Sequence, residues 1–358
     1  MPCTRHKSTT LAAAPSGAVR QPHHDARCAR TSAREEQPMS PRQITVLGEC
    51  VADAFTQPAS TSNELALRVL PGGGPANTAV SLARLGTPAR FLARLSGDVF
   101  GRLFRAHLET SGVDLSSAVT AVEPSTLAVA ELDAQGQAAF SFHAQNTADW
   151  QWTAGELAQV DLSQTACVHT GSLALVQKPG APVVEEFLAA AASHATISID
   201  PNVRPLLVHP DVYRARLTHW CGLADVLRLS EDDLELLLPG TPPEKACDIW
   251  HAAGARLVVI TQGADGALAS LAGERIHVPA LSTSVVDTVG AGDSFTAGLL
   301  HHLGAQGLLG GRLAELRLGD VADACRFAAR VAALTCSVAG PNPPWRSRLE
   351  EPAAADRA

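Results

Sequence analysis

A chain of 358 residues, of which 46% are hydrophobic and 18% charged, has enough apolar side chains to fold around a sizeable core. Its net charge of −8 argues against a nucleic-acid partner, because proteins that bind the phosphate backbone carry a basic face. No apolar run approaches the roughly 18 to 20 residues that a membrane-spanning helix needs, so no membrane association is expected. The eight cysteines lack paired C-x-x-C spacing, which predicts reduced thiols and a cytoplasmic location.

Residues 1–40 are rich in Arg, Ser, Ala, Pro and His and have no sustained apolar period, so we predict that they do not fold. A targeting segment is one alternative, although the stretch contains acidic residues, which are scarce in transit peptides. A start of translation at Met39, just before the first apolar run, is another. A chain that starts at Met39 is expected to keep its thermal midpoint and activity. Residues 41–349 are predicted to form the folded domain, and residues 350–358 a tail.

Apolar runs of strand length alternate with helical segments along this domain. The strands are predicted at residues 44–48, 90–95, 166–170, 196–200, 225–229 and 257–261. The helices, in which most apolar residues recur every three or four positions, are predicted at residues 75–85, 99–110, 183–193 and 230–237. Strands that alternate with helices form a parallel sheet covered on both faces. The predicted fold class is therefore α/β, with a doubly wound, mostly parallel sheet.

Two segments interrupt this alternation, at about residues 53–70 and 119–145. In the second, the β-like runs 126–132 and 138–142 flank an Asp-Ala-Gln-Gly turn, a pattern typical of a hairpin. The two segments are predicted to pair as a small exposed β-sheet.

The sharpest chemical signal is the string Asp-Thr-Val-Gly-Ala-Gly-Asp-Ser-Phe-Thr-Ala-Gly at residues 287–298, which follows an extended run and then turns helical. The small residues at 290–292 let backbone N–H groups approach a phosphate, and a helix start favours negative charge. Asp293 lies in the first turn of this helix. It could cap the helix, or it could serve as a carboxylate beside a phosphate-binding turn.

A second glycine-rich helix start lies at residues 72–86, in Gly-Gly-Gly-Pro-Ala-Asn-Thr-Ala-Val-Ser-Leu-Ala-Arg-Leu-Gly. Asn77 can both donate and accept hydrogen bonds, which suits a polyol, but an asparagine early in a helix is often merely solvated. Asp53 follows the first predicted strand, where a carboxylate either serves a turn or reaches a ligand.

These strings, in this order, resemble the signatures of the ribokinase-like (PfkB) family of sugar kinases over about residues 43–349. In that family the aspartate that matches Asp293 deprotonates the acceptor hydroxyl. The amides that match Gly290, Ala291 and Gly292 form an anion hole. The resemblance implies an ATP-dependent kinase that transfers the γ-phosphate to a sugar hydroxyl, with the small sheet as a lid.

The resemblance also implies the positions of the substrate sites. The positions that match sugar-binding residues are Asp53, Gly73, Asn77 and Arg204. The positions that match a T-x-G-x-x-G nucleotide turn are Thr261, Gly263 and Gly266. Arg204 belongs to a D-x-N-x-R string typical of fructokinase-like members, although an arginine there could also form only a surface salt bridge.

Metal sites follow from the same resemblance, with one departure. Ser-Glu-Asp-Asp at residues 230–233 replaces the usual N-x-x-E, so that Asp233 takes the place of a glutamate that acts on Mg²⁺ indirectly. Asp287 matches the position beside which the family often binds a monovalent cation such as K⁺. A further departure is Arg94, which stands where a glycine is common.

Other functional classes have weaker support. The chain has no Gly-Lys pair for a Walker-type phosphate loop, and residues 48–52 lack the G-x-G-x-x-G of a dinucleotide-binding oxidoreductase. His301 and His302 are adjacent, which is not helical metal-ligand spacing. A non-catalytic sugar- or nucleotide-sensing protein on the same fold is the remaining alternative.

Fructose is the predicted substrate, on the D-x-N-x-R string and the Ser-Phe-His strand that precedes Thr147. A kinase for 2-keto-3-deoxygluconate or for a riboside remains open, because the sugar contacts come from lid residues that the sequence does not place in space. A homodimer formed through the lid is a further expectation from the family.

Overall fold

The computed structural model describes residues 42–58, 61, 63–132 and 138–350. The predictions for residues 1–40, for the turn at 133–136 and for the tail beyond residue 350 lie outside this part of the chain. None of the helices it describes is long and apolar enough to cross a membrane.

The strands in these ranges are β1 (Gln43–Leu47), β2 (Val51–Gln57), β3 (Ala66–Gly72), β4 (Ala89–Leu92), β5 (Arg94–Ser96), β6 (Val119–Ala121), β7 (Leu127–Leu132), β8 (Ala138–His143), β9 (Thr165–Gly171), β10 (Thr196–Asp200), β11 (Val226–Ser230), β12 (Leu257–Thr261), β13 (Ala267–Leu271) and β14 (Glu274–Val278). The α-helices are α1 (Gly74–Arg84), α2 (Val99–Thr110), α3 (Ala154–Leu157), α4 (Gly180–Ala191), α5 (Pro210–Leu223), α6 (Glu231–Leu237), α7 (Pro243–Ala252), α8 (Ala291–Ala305), α9 (Leu318–Cys336) and α10 (Arg346–Glu350).

The main sheet has the strand order β14-β13-β12-β11-β10-β9-β1-β4. In the part of this sheet formed by β12, β11, β10, β9, β1 and β4, adjacent strands run parallel. The strands β13 and β14 extend the sheet beyond β12 in antiparallel fashion. The predicted α/β class is therefore confirmed. Because the parallel strands point the same way, their carboxyl ends meet at one edge, where ligands bind in open α/β sheets.

Alternate residues of the buried strands contribute to two apolar cores, one on each face of the sheet. Val226 of β11 belongs to the core that includes residues of α1, α8 and α9. Leu227 and Leu229 belong to the core that includes residues of α4, α5 and α7. This division follows from the two-residue period of a strand, which sends successive side chains to opposite faces.

A small second sheet has the order β3-β2-β7-β8, with β2 parallel to β7. It joins the two segments that interrupt the strand and helix alternation, which confirms that they pair. Residues 119–121 of the second segment are an exception, because β6 pairs with β5 in a separate two-stranded sheet. We refer to β2, β3, β7 and β8 as the lid.

The single strand predicted at residues 90–95 is wrong in one respect, since the run divides into β4 and β5. The second strand, β5, begins at Arg94, whose side chain is almost completely buried. Its NH2 group lies 2.9 Å from Oε2 of Glu123, its NH1 group pairs with Glu156, and its Nε donates to the carbonyl of Ala148 at 3.2 Å. The arginine at this unusual position therefore joins β5 to the chain segments around residues 123, 148 and 156.

Replacing Arg94 with methionine is expected to lower the free energy of unfolding by about 1–3 kcal/mol. Glu123 and Glu156 would lose their partner, but their side chains are 27% and 23% exposed and can regain water. Urea denaturation measures the loss. The control is Arg326→Met, which breaks an exposed pair with Asp323 one helical turn away and is expected to cost under about 1 kcal/mol. Equal losses in the two variants would contradict the structural role of Arg94.

Candidate active site

The start of α8 lies at the carboxyl edge of the sheet, and Gly290 forms its N-cap. Gly290 has a φ of 77°, in the left-handed region, and a Cβ there would lie 2.8 Å from Cβ of Pro341. Glycine is therefore required both by conformation and by space. Ala291 donates its amide to the carbonyl of Thr288 at 3.2 Å. Within the described residues, the amides of Gly290 and Gly292 have no acceptor, so they are available to an anion.

Asp293 occupies the third position of α8 and directs its carboxylate toward α1. Oδ2 accepts a hydrogen bond from Nδ2 of Asn77 at 2.9 Å, and the backbone carbonyl of Asp293 lies 3.5 Å from the Thr78 hydroxyl. A Cβ on Gly74 would lie 3.2 Å from Oδ1, so the glycine at the start of α1 leaves room beside the carboxylate. The two glycine-rich helix starts of the sequence thus meet at one acid.

Burial raises the pKa of Asp293 above its usual value. The hydrogen bond from Asn77 and the positive charges of Arg204 and Arg228 act in the opposite direction and lower this pKa. A carboxylate whose pKa lies above the ordinary aspartate value is a stronger base, yet these partners favour its charged form. The arrangement suits proton abstraction.

The cleft next to Asp293 collects groups from several elements. Its lining comprises Gly74, Pro75, Thr78, His169, Gly171, Ser172, Asp200, Asn202 and Asp293. Pro75 and Thr78 come from α1, and His169 and Gly171 from β9. The polar groups converge where the carboxyl ends of β9 and β10 meet the starts of α1 and α8.

Asp53 lies on lid strand β2, opposite Leu70 of β3. A Cβ on Gly72 would lie 1.9 Å from Oδ2 of Asp53, so only glycine at position 72 leaves space for the carboxylate. Burial raises the pKa of Asp53 to about 6, the charge of Arg204 lowers it, and the charge of Asp293 raises it. The structure therefore brings Asp53 within electrostatic reach of Asp293.

Arg204 and Gly73, the remaining predicted sugar-binding residues, lie just after β10 and at the start of α1. Arg204 is exposed just after β10, and its amide donates to the hydroxyl of Tyr213 at 3.3 Å. Gly73 is the N-cap of α1 with a φ of 102°, and a Cβ there would lie 2.6 Å from the carbonyl oxygen of Glu49. Glycine at position 73 thus has a structural reason that is independent of any sugar.

The predicted nucleotide turn follows β12 and includes a short 3-10 segment, Gly263–Asp265. Gly266 has a φ of 99°, and a Cβ there would lie 2.1 Å from the carbonyl oxygen of Val278 on β14. Gly263 has a φ of 55° and open space around its Cβ position. The hydroxyl of Thr261 accepts a hydrogen bond from Arg228 at 2.7 Å. Gly263 is therefore the member of this set with room for a ligand.

Asp233 and Asp287, the two aspartates for which metal roles were predicted, already have partners in the chain. Oδ1 of Asp233 accepts from the amide of Val203 at 2.7 Å, and Oδ2 accepts from the hydroxyl of Ser230 at 2.6 Å. Asp287 accepts from the amides of Val289 at 3.0 Å and Gly340 at 2.8 Å. Among the described residues, no group of three or more His, Cys, Asp and Glu is arranged to hold a metal ion. Both carboxylate oxygens of Asp233 are thus occupied by donors from the chain.

Two residues near Asp293 were not predicted from the sequence: Arg228, and Asn202 within the D-x-N-x-R string. Arg228 is buried in β11, between Asp200 and Thr261, and each of these accepts a hydrogen bond from it at 2.7 Å. Asn202 has a φ of 41°, and its Nδ2 lies 2.7 Å from the Cβ position of Gly74. One sequence signal was available for Arg228, since it is a lone charge within the apolar run Val-Leu-Arg-Leu.

Comparisons with known proteins identify relatives over most of this chain. Residues 41–348 match the pfkB family carbohydrate kinases. The chain is 34% identical to a fructokinase from Rhizobium leguminosarum bv. trifolii over 268 residues, which are 74% of this chain and 81% of that protein. It is 32% identical to the fructokinase of Escherichia coli over 297 residues, 79% of this chain and 91% of that one.

Two solved structures share this fold over most of the chain. The fructokinase from Xylella fastidiosa with bound ATP superposes with a TM-score of 0.79 at 27% identity, over 87% of this chain and 98% of that chain. The fructokinase from Vibrio cholerae O395 in the fructose-, ADP- and calcium-bound form superposes with a TM-score of 0.70 at 26% identity, over 84% and 94%. The match over residues 41–348, the fold and the paired glycine-rich helix starts together place this chain in the pfkB family of carbohydrate kinases.

Proposed function

We propose that this protein transfers the γ-phosphate of ATP to a hydroxyl of fructose, with Asp293 as the general base. The observation that carries the proposal is the position of the Asp293 carboxylate, which is hydrogen-bonded to Asn77 and directly follows Gly292, whose amide has no acceptor within the described residues. Relatives named fructokinase, one solved with ATP and another with fructose and ADP, support the choice of substrates.

In this mechanism the chain positions the reactants and compensates charge, because phosphoryl transfer needs little covalent chemistry from the protein. The acceptor hydroxyl would donate its proton to Asp293 as its oxygen attacks the γ-phosphorus. The amides of Gly290 and Gly292, together with the dipole of α8, would stabilise the negative charge on the transferring oxygens. The products are ADP and a sugar phosphate, and Asp293 returns its proton to solvent.

The lid would hold the sugar and exclude water. Asp53, on β2, interacts electrostatically with Asp293. Closing the lid would therefore place a second carboxylate next to the sugar hydroxyls. Gly73, Asn77 and Arg204 complete the proposed sugar site. Exclusion of water limits ATP hydrolysis before transfer. The nucleotide would lie across the turn that contains Thr261, Gly263 and Gly266.

Two ions are part of the proposal. Mg²⁺, which usually keeps several waters and binds phosphate oxygens, would neutralise charge on the nucleotide, with Asp233 acting only through water. K⁺ would bind near Asp287, which joins the loop at 287–289 to Gly340 through its two hydrogen bonds. The second role of Asp287 would then be to shape the backbone around the ion.

We also propose a cytoplasmic homodimer that forms through the lid. Phe55 and Leu67 of the lid strands are each 39% exposed, and Leu65, next to β3, is 70% exposed. Contact between two lids would bury this apolar surface, and exposed apolar patches commonly mark such interfaces. Sedimentation of the wild type and of Phe55→Ser tests it, since a monomeric wild type would refute the dimer.

An ADP-release assay over a sugar panel tests the function. Fructose, 2-keto-3-deoxygluconate, a riboside and a reaction without sugar are compared at equal concentration. Fructose is expected to give the highest kcat/KM. A higher value for another sugar would reassign the substrate, and ATP consumption that no sugar stimulates would favour a sensing protein.

Replacing Asn77 with alanine is expected to lower kcat/KM for the sugar by about 5- to 150-fold, which corresponds to a lost buried hydrogen bond worth roughly 1–3 kcal/mol. The acid limb of the kcat profile should also move to higher pH. The Asn77 bond favours the charged carboxylate of Asp293, so its loss raises the pKa of that base, and activity disappears sooner as the pH falls.

The control for this variant is Gln306→Ala, an exposed amide at the far end of α8. Wild-type kinetics are expected for the control at every pH. If Asn77→Ala matched the control in both kcat/KM and the acid limb, Asn77 would be removed from the site.

A further inference from the structure

A buried arginine, Arg228, lies against the turn at 290–292 and has no part in the mechanism proposed above. Arg228 is 5% exposed and lies within the apolar strand β11. A charge at such a position is costly unless it is paired, so its surroundings show what holds it there.

Two neighbouring strands fix the guanidinium of Arg228. NH1 lies 2.7 Å from Oδ2 of Asp200 at the end of β10, in an ion pair whose side chains are both 6% exposed. NH2 donates to the hydroxyl of Thr261 at the end of β12, also at 2.7 Å. The Phe295 ring of α8 lies 5.9 Å from the central carbon of the guanidinium. The group is therefore held in one orientation from three sides.

The open end of the guanidinium faces the anion-binding turn. A Cβ on Gly292 would lie 2.9 Å from both NH1 and NH2. Arginine has five N–H donors, and Asp200 and Thr261 account for two of them. Nε has no partner within the described residues. A fixed positive charge with unused donors thus lies against the residue whose amide is available to a phosphate.

We propose that Arg228 is a positioning residue for phosphoryl transfer: held by Asp200 and Thr261, it supports the turn at 290–292 from below and places a permanent positive charge behind the anion hole. The inference rests on the proposed kinase function and assigns this residue a part in it. The charge would compensate Asp200, Asp293 and the incoming γ-phosphate together. Without Arg228, Asp200 would stand next to Asp293 as an unpaired carboxylate and repel the phosphate.

The first test compares Arg228→Met with Arg228→Lys. Methionine keeps the apolar stem and removes the charge, so kcat is expected to fall roughly 10- to 100-fold. The acid limb of kcat should move to higher pH, because the pKa of Asp293 rises when a nearby positive charge is lost. Arg204 also lowers the pKa of Asp293, and the carboxylates of Asp53 and Asp200 interact with it; all three residues are unchanged in both variants. Lysine should restore the acid limb and part of kcat, since it keeps the charge without the planar fork.

A purely structural role predicts another result. Both variants would then melt at a lower temperature, while kcat per folded molecule and the acid limb would stay at the wild-type values. That outcome would overturn the proposal. If Arg228→Met does not fold, Arg228→Gln supplies the same comparison, because its amide keeps donors for Asp200 and carries no charge.

Calorimetry separates this inference from the identity of the sugar. Arg228→Met should weaken the binding of ATP by about 10-fold and leave the binding of ADP nearly unchanged, because only ATP carries the γ-phosphate. Equal weakening of both nucleotides, or of neither, would refute a charge behind the anion hole. Wild-type turnover with fructose, measured in parallel, tests the proposed function and can fail without affecting the nucleotide comparison.

Discussion

Asp293→Asn is expected to lower kcat by about 10²- to 10⁴-fold, while ATP affinity and melting temperature stay near their wild-type values. Asparagine keeps the shape of the side chain and its bond with Asn77 but cannot accept the hydroxyl proton. Stopped-flow or coupled assays at saturating substrate give kcat, and calorimetry gives the nucleotide affinity. The size of the expected loss is that of general-base catalysis.

A helix-stabilising role for Asp293 predicts a different result, and α9 supplies the control. Asp320 occupies the same third helical position there, where it accepts a hydrogen bond from the amide of Arg317 at 3.0 Å. Asp320→Asn is expected to leave kcat unchanged. If Asp293→Asn behaved like this control, with near-normal kcat in a folded protein, the catalytic role would be refuted.

The pH profile of the wild type tests the proposed role of Asp293 independently. Asp293 must be ionised to accept a proton, and its pKa is raised by burial. Activity should therefore decline as the pH falls through a value above the ordinary aspartate pKa of about 3.9. Asp53, with a pKa raised to about 6, should affect the apparent KM for the sugar as the pH falls through that value.

Gly292→Val is expected to lower kcat/KM for ATP by about 100-fold or more, because a shift of about 1 Å in a catalytic element can cost that much. A Cβ at this position would lie 2.9 Å from both terminal nitrogens of Arg228. The turn or the guanidinium must move, and overpacking of this kind also destabilises a fold by about 1–3 kcal/mol. Steady-state kinetics and thermal melting measure the two effects.

The matched control is Gly319→Val, at an exposed position early in α9 with nothing within 4 Å of its Cβ position. Near-wild-type kinetics are expected for it. A folded Gly292→Val protein with unchanged ATP affinity and turnover would place the anion hole elsewhere. The valine would meet Arg228 even before a phosphate binds.

The fold class was predictable because its determinants are local and repeated. Buried parallel strands have nearly continuous apolar runs, and residues 196–200 and 257–261 coincide with β10 and β12. The division of residues 90–95 was not predictable in this way, because the contacts of Arg94 with Glu123 and Glu156 are distant in sequence. Long-range ion pairs leave no periodic signal in the residues that make them.

The candidate site was predictable where chemistry and backbone conformation coincide in one string. Gly290, with its left-handed φ, and Asp293 lie within four residues, so a single motif contains both the turn and the proposed base. Arg228 was missed because its partners Asp200 and Thr261 come from other strands. The contact of Asp233 with Val203 was equally invisible, since that amide reaches its Oδ1 from another loop.

Phosphorus NMR of the wild-type protein with ATP and fructose tests the central claim most directly. The proposed function predicts that the γ-phosphate signal of ATP declines while a sugar phosphomonoester signal grows in equal amount, with ADP as the only nucleotide product. Inorganic phosphate in place of the monoester, or an unchanged ATP signal under conditions where the protein is folded, would contradict phosphoryl transfer to fructose.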